Sequence, residues 1–180
     1  MADRRQNIID AGLGVLREHG YPGFTQPRVA AAAGLRQSHL TYYFPTRVDL
    51  LAAVARAAID GQLGAIDTML EAPSREVAAT TIASVAARHA NTRVMMALAQ
   101  AADQEPALRE LFRELADGIT DRAGRLFERL GIEPTPEARF MLHALSVGLA
   151  VVDFAVGRPD GEGRARDAIE AMLTLLPRKE

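Results

Sequence analysis

Apolar positions recur with helical spacing along almost the whole chain. From Asp3 to His19, Ile9, Leu13 and Leu16 fall at i, i+4 and i+7 with Ile8 and Val15 beside them, the stripe of an amphipathic helix that Gly20 ends. The segment Gly20-Tyr21-Pro22-Gly23-Phe24 reads as a turn. Thr25 is then a natural N-cap, and Pro27 falls in the first turn of the next helix, where a missing N–H costs nothing. Val29 to Ala33 is alanine-rich and suits close packing. Gly34 permits the positive φ of a tight turn, with Leu35 as the apolar plug beneath it. Arg36 to Phe44 restarts as a second short helix with Leu40 and Phe44 at i, i+4, and Pro45 closes it before Thr46 caps a longer one. The pattern is helix, tight turn, helix.

From Arg47 to about Leu70, the residues Leu50, Leu51, Val54, Ala58, Ile66 and Leu70 keep helical spacing, with Gly61 and Gly64 as soft points. Pro73 and Ser74 start the next helix. Further helices are predicted at about 74–90, 92–102, 105–131, 136–157 and 163–176, separated by Asn91-Thr92, Glu105-Pro106, Gly131 to Pro136 and Gly157 to Gly163. No β-branched alternation between turn signals suggests a strand, and no repeat of 20–50 residues is present. The expected class is all-α, with about nine helices divided into domains at residues 1–46 and 47–180.

Composition narrows the chemistry. Of 180 residues, 48% are hydrophobic and 24% charged, the balance of a folded domain rather than a disordered chain. The absence of cysteine excludes disulfides, thiolate nucleophiles and Cys-based metal sites, and makes a reducing cytoplasm the expected compartment. The uncharged apolar stretch from Phe140 to Val152 falls short of the roughly 18 residues a spanning helix needs, so no membrane partner is expected. The start, Met1-Ala2-Asp3-Arg4-Arg5-Gln6-Asn7, has no signal-peptide character. Residues 1–50 carry a net +2 and residues 51–180 a net −4, so a polyanionic partner would meet the first fifty residues.

The helix–turn–helix residues carry a resemblance. Gly20-Tyr21, Phe24-Thr25, Val29-Ala30, Ala33-Gly34-Leu35, Leu40, Tyr42, Phe44, Thr46-Arg47 and Leu50 resemble the DNA-binding segment of the tetracycline-repressor (TetR) family of bacterial transcriptional regulators. Beyond this segment the resemblance is architectural: a helical region of the right length, ending in two helices that the family uses for dimerisation. It implies a homodimer that binds a palindromic double-stranded DNA operator and is released, most often as a repressor, by a small apolar or amphipathic effector. Four positions depart from the family's usual residues: Arg36 for Ser or Thr, Ser38 for Gly or a small residue, Thr41 for Tyr, and Arg47 for Lys. The operator therefore cannot be borrowed from relatives.

The residue chemistry supports DNA binding independently. A short helix beginning Arg36-Gln37-Ser38-His39 presents donors and acceptors from the turn that meets base edges in helix–turn–helix docking, and the Gln37 amide suits adenine N6 and N7 together. Thr25, Arg28, Tyr42, Tyr43 and Arg47 are the expected positioning shell on phosphates, although Thr25 is foremost a cap and Tyr43, like Phe44, equally suits the three-helix core. The blander reading of Arg47 is a solvated helix start.

Residues 137–157 are apolar on most sides, which one buried face cannot satisfy. The expected dimer interface combines Phe140, Leu145, Leu149, Val152 and Val156 with Ile169, Met172, Leu173 and Leu176 of the last helix, against a monomer with a central helix. The resemblance implies an effector cavity between the middle helices, with Met95, Met96, Leu98, Phe112, Leu115, Ile119, Phe127, Met141, His143 and Phe154 as candidates, although such residues also form ordinary cores. His143 needs a polar partner, either a ligand group or, more simply, a backbone carbonyl. No cofactor, metal or catalytic residue is expected. An enzyme using His89 or His143 with a nearby carboxylate lacks every motif such chemistry uses: there is no His-Glu-x-x-His, no Gly-x-Ser-x-Gly and no Walker loop, and Gly12-Leu13-Gly14 lies inside a helix. A helical interaction module that has lost DNA binding is the other alternative.

Overall fold

The computed structural model describes residues 2–71, 74–157 and 159–179. The expected roles of Met1 in the N-terminal segment and of Pro73 at a helix start lie outside them. Nine helices are present among the described residues: α1 Ala2–His19, α2 Gln26–Ala32, α3 Gln37–Tyr43, α4 Arg47–Met69, α5 Arg75–Ala86, α6 His89–Ala102, α7 Pro106–Arg129, α8 Pro136–Val156 and α9 Gly161–Leu175. The one β feature among these residues is an isolated bridge between Ile132 and Arg178. The chain is all-α, as its periodicity predicts.

Two compact units interleave along the sequence, residues 1–61 with 93–113 and residues 62–92 with 114–180. The expected boundary at 46/47 falls inside the first unit.

In the first unit the α1 stripe buries Ile8, Ile9, Val15 and Leu16, and α2 and α3 pack in succession against the same core through Val29, Ala30 and Leu40. A Cβ on Gly12 would stand 2.6 Å from Val54 Cγ2, so only glycine lets α1 approach α4 this closely. The turn after α2 is a Schellman motif. Gly34 sits at φ +68°, its N–H donates to the Ala31 carbonyl at 3.1 Å, and the Leu35 N–H donates to the Ala30 carbonyl at 2.8 Å. Thr25 caps α2 as expected, accepting from the Arg28 N–H. Thr46 caps α4 in a reciprocal pair with Asp49: the Asp49 N–H donates to Thr46 Oγ1 at 3.0 Å, and the Thr46 N–H donates to Asp49 Oδ2 at 3.0 Å.

In the second unit α5 packs along α9, with α8 against both. Three buried alanines of α5, Ala78, Ala79 and Ala83, allow the close approach, and Phe127, Ile132, Leu142, Ile169 and Leu173 fill the space around them. Thr135 caps α8 by accepting from the Ala138 N–H, with Pro136 in its first turn.

The described helices bear on three sequence expectations. The break between the fifth and sixth helices comes at Ala87-Arg88 rather than at Asn91-Thr92, because the latter pair forms the opening turn of α6, where both N–H groups reach the Arg88 carbonyl. The dimer stripe also divides. Ile169, Leu173 and Leu176 are buried within the single chain and Leu145, Leu149 and Met172 pack against the same core, because α9 turns its apolar face to α5. Finally, α8 runs for 21 residues with a mean hydropathy of 1.6 over its most apolar window. By length and composition alone that suffices to cross a bilayer, because the helix continues beyond the Phe140–Val152 stretch into the charged turns at either end. Its Ala138 and Leu142 are nevertheless core residues of the second unit.

Candidate nucleic-acid interface

The first unit holds α3 as a short rod pinned at both ends. Leu40 is its one fully buried side chain, Phe44 closes it at the C-cap, and the Gln26 side-chain amide of α2 donates to the Phe44 carbonyl at 2.9 Å. With these positions fixed, Arg36, Gln37, Ser38 and His39 all stand exposed on one end of the helix. Tyr42 is 76% exposed, and the half-buried Tyr43 meets its ring edge-on at 5.3 Å. The Thr41 hydroxyl donates to the Ser38 carbonyl at 3.1 Å and so stays with its own helix. The result is a row of side-chain donors and acceptors, uncommitted among the described residues, at the N-terminal turn of α3 and held by a packed three-helix core.

The positioning residues are engaged within the protein itself. The Arg28 guanidinium donates to the Gly23 carbonyl at 2.7 Å. Arg47 reaches further: its Nε donates to the Phe24 carbonyl at 2.8 Å, its Nη2 to the Tyr21 carbonyl at 3.3 Å and its Nη1 to Tyr21 Oη at 3.3 Å. The same guanidinium lies 4.5 Å from the centre of the Tyr21 ring. Arg47 is therefore not a solvated helix start but a clamp between the first residue of α4 and the turn before α2. A fork of fixed donors over an aromatic face is a task for arginine, which gives a physical sense to its departure from the family's lysine. Tyr21 and Asp49 are the functional neighbours the sequence reading missed. The Thr-x-x-Asp spacing could have revealed Asp49, whereas nothing local signals the Tyr21 contact.

The effector candidates are shared between the two units. Met95, Met96 and Phe112 belong to the first unit, and Phe127, Met141, His143 and Phe154 to the second. Phe127 is fully buried among the alanines and leucines of the core, and Met141 is exposed on the outward side of α8. His143 is half-buried, and burial pushes its pKa below the ordinary histidine value, favouring the neutral imidazole. No hydrogen bond reaches it among the described residues, neither from a carbonyl nor from another side chain. His89, at the start of α6, does find a carboxylate: its Nε2 lies 2.7 Å from Asp153 Oδ2, and its ring meets Phe154 edge-on at 5.9 Å.

Comparison with known proteins places this geometry. The family model described as bacterial regulatory proteins, tetR family, matches residues 8–54, and that described as tetracyclin repressor-like, C-terminal domain, matches residues 67–176. Over 46 residues, 26% of this chain, the sequence is 48% identical to the HTH-type transcriptional regulator CymR of Pseudomonas putida, and the match spans 23% of that protein's length. Among solved structures, a transcriptional regulator from Rhodococcus sp. Rha1 is similar in fold, with a TM-score of 0.84 at 20% identity over 96% of this chain and 95% of that one. A TetR-family member from Streptomyces coelicolor A3 is 27% identical with a TM-score of 0.75, covering 94% of this chain and 97% of its own. The multidrug binding protein EbrR, solved with proflavin, is 27% identical with a TM-score of 0.68, covering 94% and 99%. With both family models matched in order along its length, the chain belongs to the tetR family of bacterial regulatory proteins.

Proposed function

We propose that the protein is a homodimeric, ligand-responsive transcriptional regulator, with residues 1–46 reading DNA and residues 47–180 serving dimerisation and effector binding. The observation that carries the DNA reading is the exposed polar row Arg36 to His39 on a helix whose apolar side is wholly committed to the core. Gln37, Ser38 and His39 read base edges, with Arg36 and Tyr42 beside them. Thr25, Arg28, Tyr43 and Arg47 set the position of α3, of which Arg28 and Arg47 act through the backbone of the 21–24 turn.

The dimer reading rests on α8. Phe140, Met141, Val147, Val151, Val152 and Val156 are all at least 36% exposed and line one side of the helix, with Ala144, Gly148 and Ala155 between them. A second copy of α8 covers such a stripe, so this face forms the core of the interface. The effector reading is supported by EbrR, a relative whose structure holds proflavin. Because Arg47 ties the start of α4 to the turn before α2, a shift of α4 carries the reading helix with it. A coupling of about 1–3 kcal/mol between effector and operator changes DNA affinity roughly 5- to 150-fold. The cytoplasm, where the operator lies, is the expected compartment.

Selection of bound duplexes from a random pool tests the reading. An enriched palindrome whose half-sites lie about one helical turn apart, and whose preferred base changes at one position with Gln37→Ala, is the expected result. Enrichment of nothing would favour a helical interaction module.

A further inference from the structure

We infer that the first turn of α1 extends the DNA interface, with Arg4 and Arg5 engaging backbone phosphates beside the groove read by α3. This rests on the DNA-binding reading above and adds residues to it. Residues 1–50 contain six arginines and no lysine, so any phosphate neutralised by a cationic side chain of this segment is met by one of the six. Two of them, Arg28 and Arg47, already direct guanidinium donors to backbone carbonyls of the turn before α2. Arg17 follows Arg4 by thirteen residues on α1, roughly 20 Å further along the axis. Arg4, Arg5 and Arg36 remain, all exposed.

Two contacts hold the start of α1 against the helix–turn–helix. The Asn7 amide donates to the Ala33 carbonyl at 3.1 Å, in the turn three residues before Arg36. The Arg5 guanidinium lies 5.1 Å from the centre of the Phe44 ring, at the C-cap of α3. Arg4 precedes Asn7 by three residues and so shares the helix face that meets this turn. No hydrogen bond or ion pair engages the side chain of Arg4 or Arg36 among the described residues. Cations in the first turn of a helix oppose its dipole, so the stability of α1 does not explain them. A polyanion lying across the turn and the start of α1 does.

The test is a titration of the full chain against its selected duplex and a random duplex, between 50 and 200 mM salt, with thermal melting followed in parallel. Arg4→Ala is expected to weaken both duplexes by the same factor and to reduce the slope of log affinity on log salt by about 0.9, so that its deficit at 50 mM is about 3.5 times that at 200 mM. Arg4→Ala combined with Arg5→Ala should reduce the slope by about 1.8, and Arg4→Lys should restore it, with the melting temperature of Arg4→Ala unchanged. Arg17→Ala, which removes the same charge from the far end of α1, should leave the slope alone. An unchanged slope in Arg4→Ala, with specific binding by the wild type intact, overturns the inference and leaves the DNA reading standing. An equal loss from Arg17→Ala overturns it as well, since net charge alone would then be acting. Failure of the wild type to prefer any duplex removes the DNA reading and the inference with it.

Discussion

α3 and α8 both turn a face away from the core of their own unit, but for opposite physical reasons. On α3 that face is polar, and water satisfies Gln37, Ser38 and His39 without cost, so exposure alone carries no information. What makes it informative is rigidity: Leu40, Phe44 and the Gly34 turn fix where those groups point. On α8 the outward face is apolar, with Phe140 66% and Val152 57% exposed. Burying side chains of this size is worth about 1.5–3 kcal/mol each, so free energy itself calls for a cover. One face is read from geometry and the other from thermodynamics.

The contrast within the C-terminal helices gives the largest expected effect. Ile169→Ala, in the packed core, should lower stability by about 2–5 kcal/mol, measured by denaturant unfolding. Val152→Asp, on the outward face of α8, should leave the fold intact and halve the sedimentation mass at micromolar concentration. The same mass for Val152→Asp and wild type would remove α8 from the interface. Next in size, Arg47→Ala should cost about 1.5–3 kcal/mol of stability through lost charged hydrogen bonds, and Arg47→Lys should not restore it. A lowered salt slope with unchanged melting would instead make Arg47 a phosphate contact. On the α3 side, Gln37→Ala should cost about 1–3 kcal/mol of binding at one base position while melting stays as in the wild type. Equal loss on every sequence would contradict its role as a reader.

The smallest effect concerns His143. Its folded pKa lies below that of the unfolded chain, so the unfolded state binds the proton first as pH falls through about 6.5, and stability declines from there toward the folded value. His143→Leu should flatten unfolding free energy over that window. A curve identical to the wild type would mean that the imidazole is solvated in solution.

The same division explains what was legible beforehand. The helix–turn–helix is written in local signals: Thr25, Gly34, Pro45 and Thr46 each act within four residues, and all fall where the sequence predicts. The α5–α6 break leaves no mark in the sequence because it uses neither glycine nor proline, only backbone bonds around Ala87. For the expected dimer stripe, periodicity gives the apolar face of α9 but not what packs on it within the chain, and the alanines of α5 do so from ninety residues away. In sequence Arg47 reads as a phosphate contact or solvated charge, since its hold on Tyr21 and Phe24 is a contact across more than twenty residues.

The central claim, that an exposed polar row on a rigid α3 reads a DNA sequence in a protein dimerised through α8, is tested most directly by one ratio. It is the affinity for a selected palindromic duplex over that for random duplex of the same length, at fixed salt. A ratio of roughly 10³ or more is expected. A ratio near one, with the protein folded and dimeric, would contradict it.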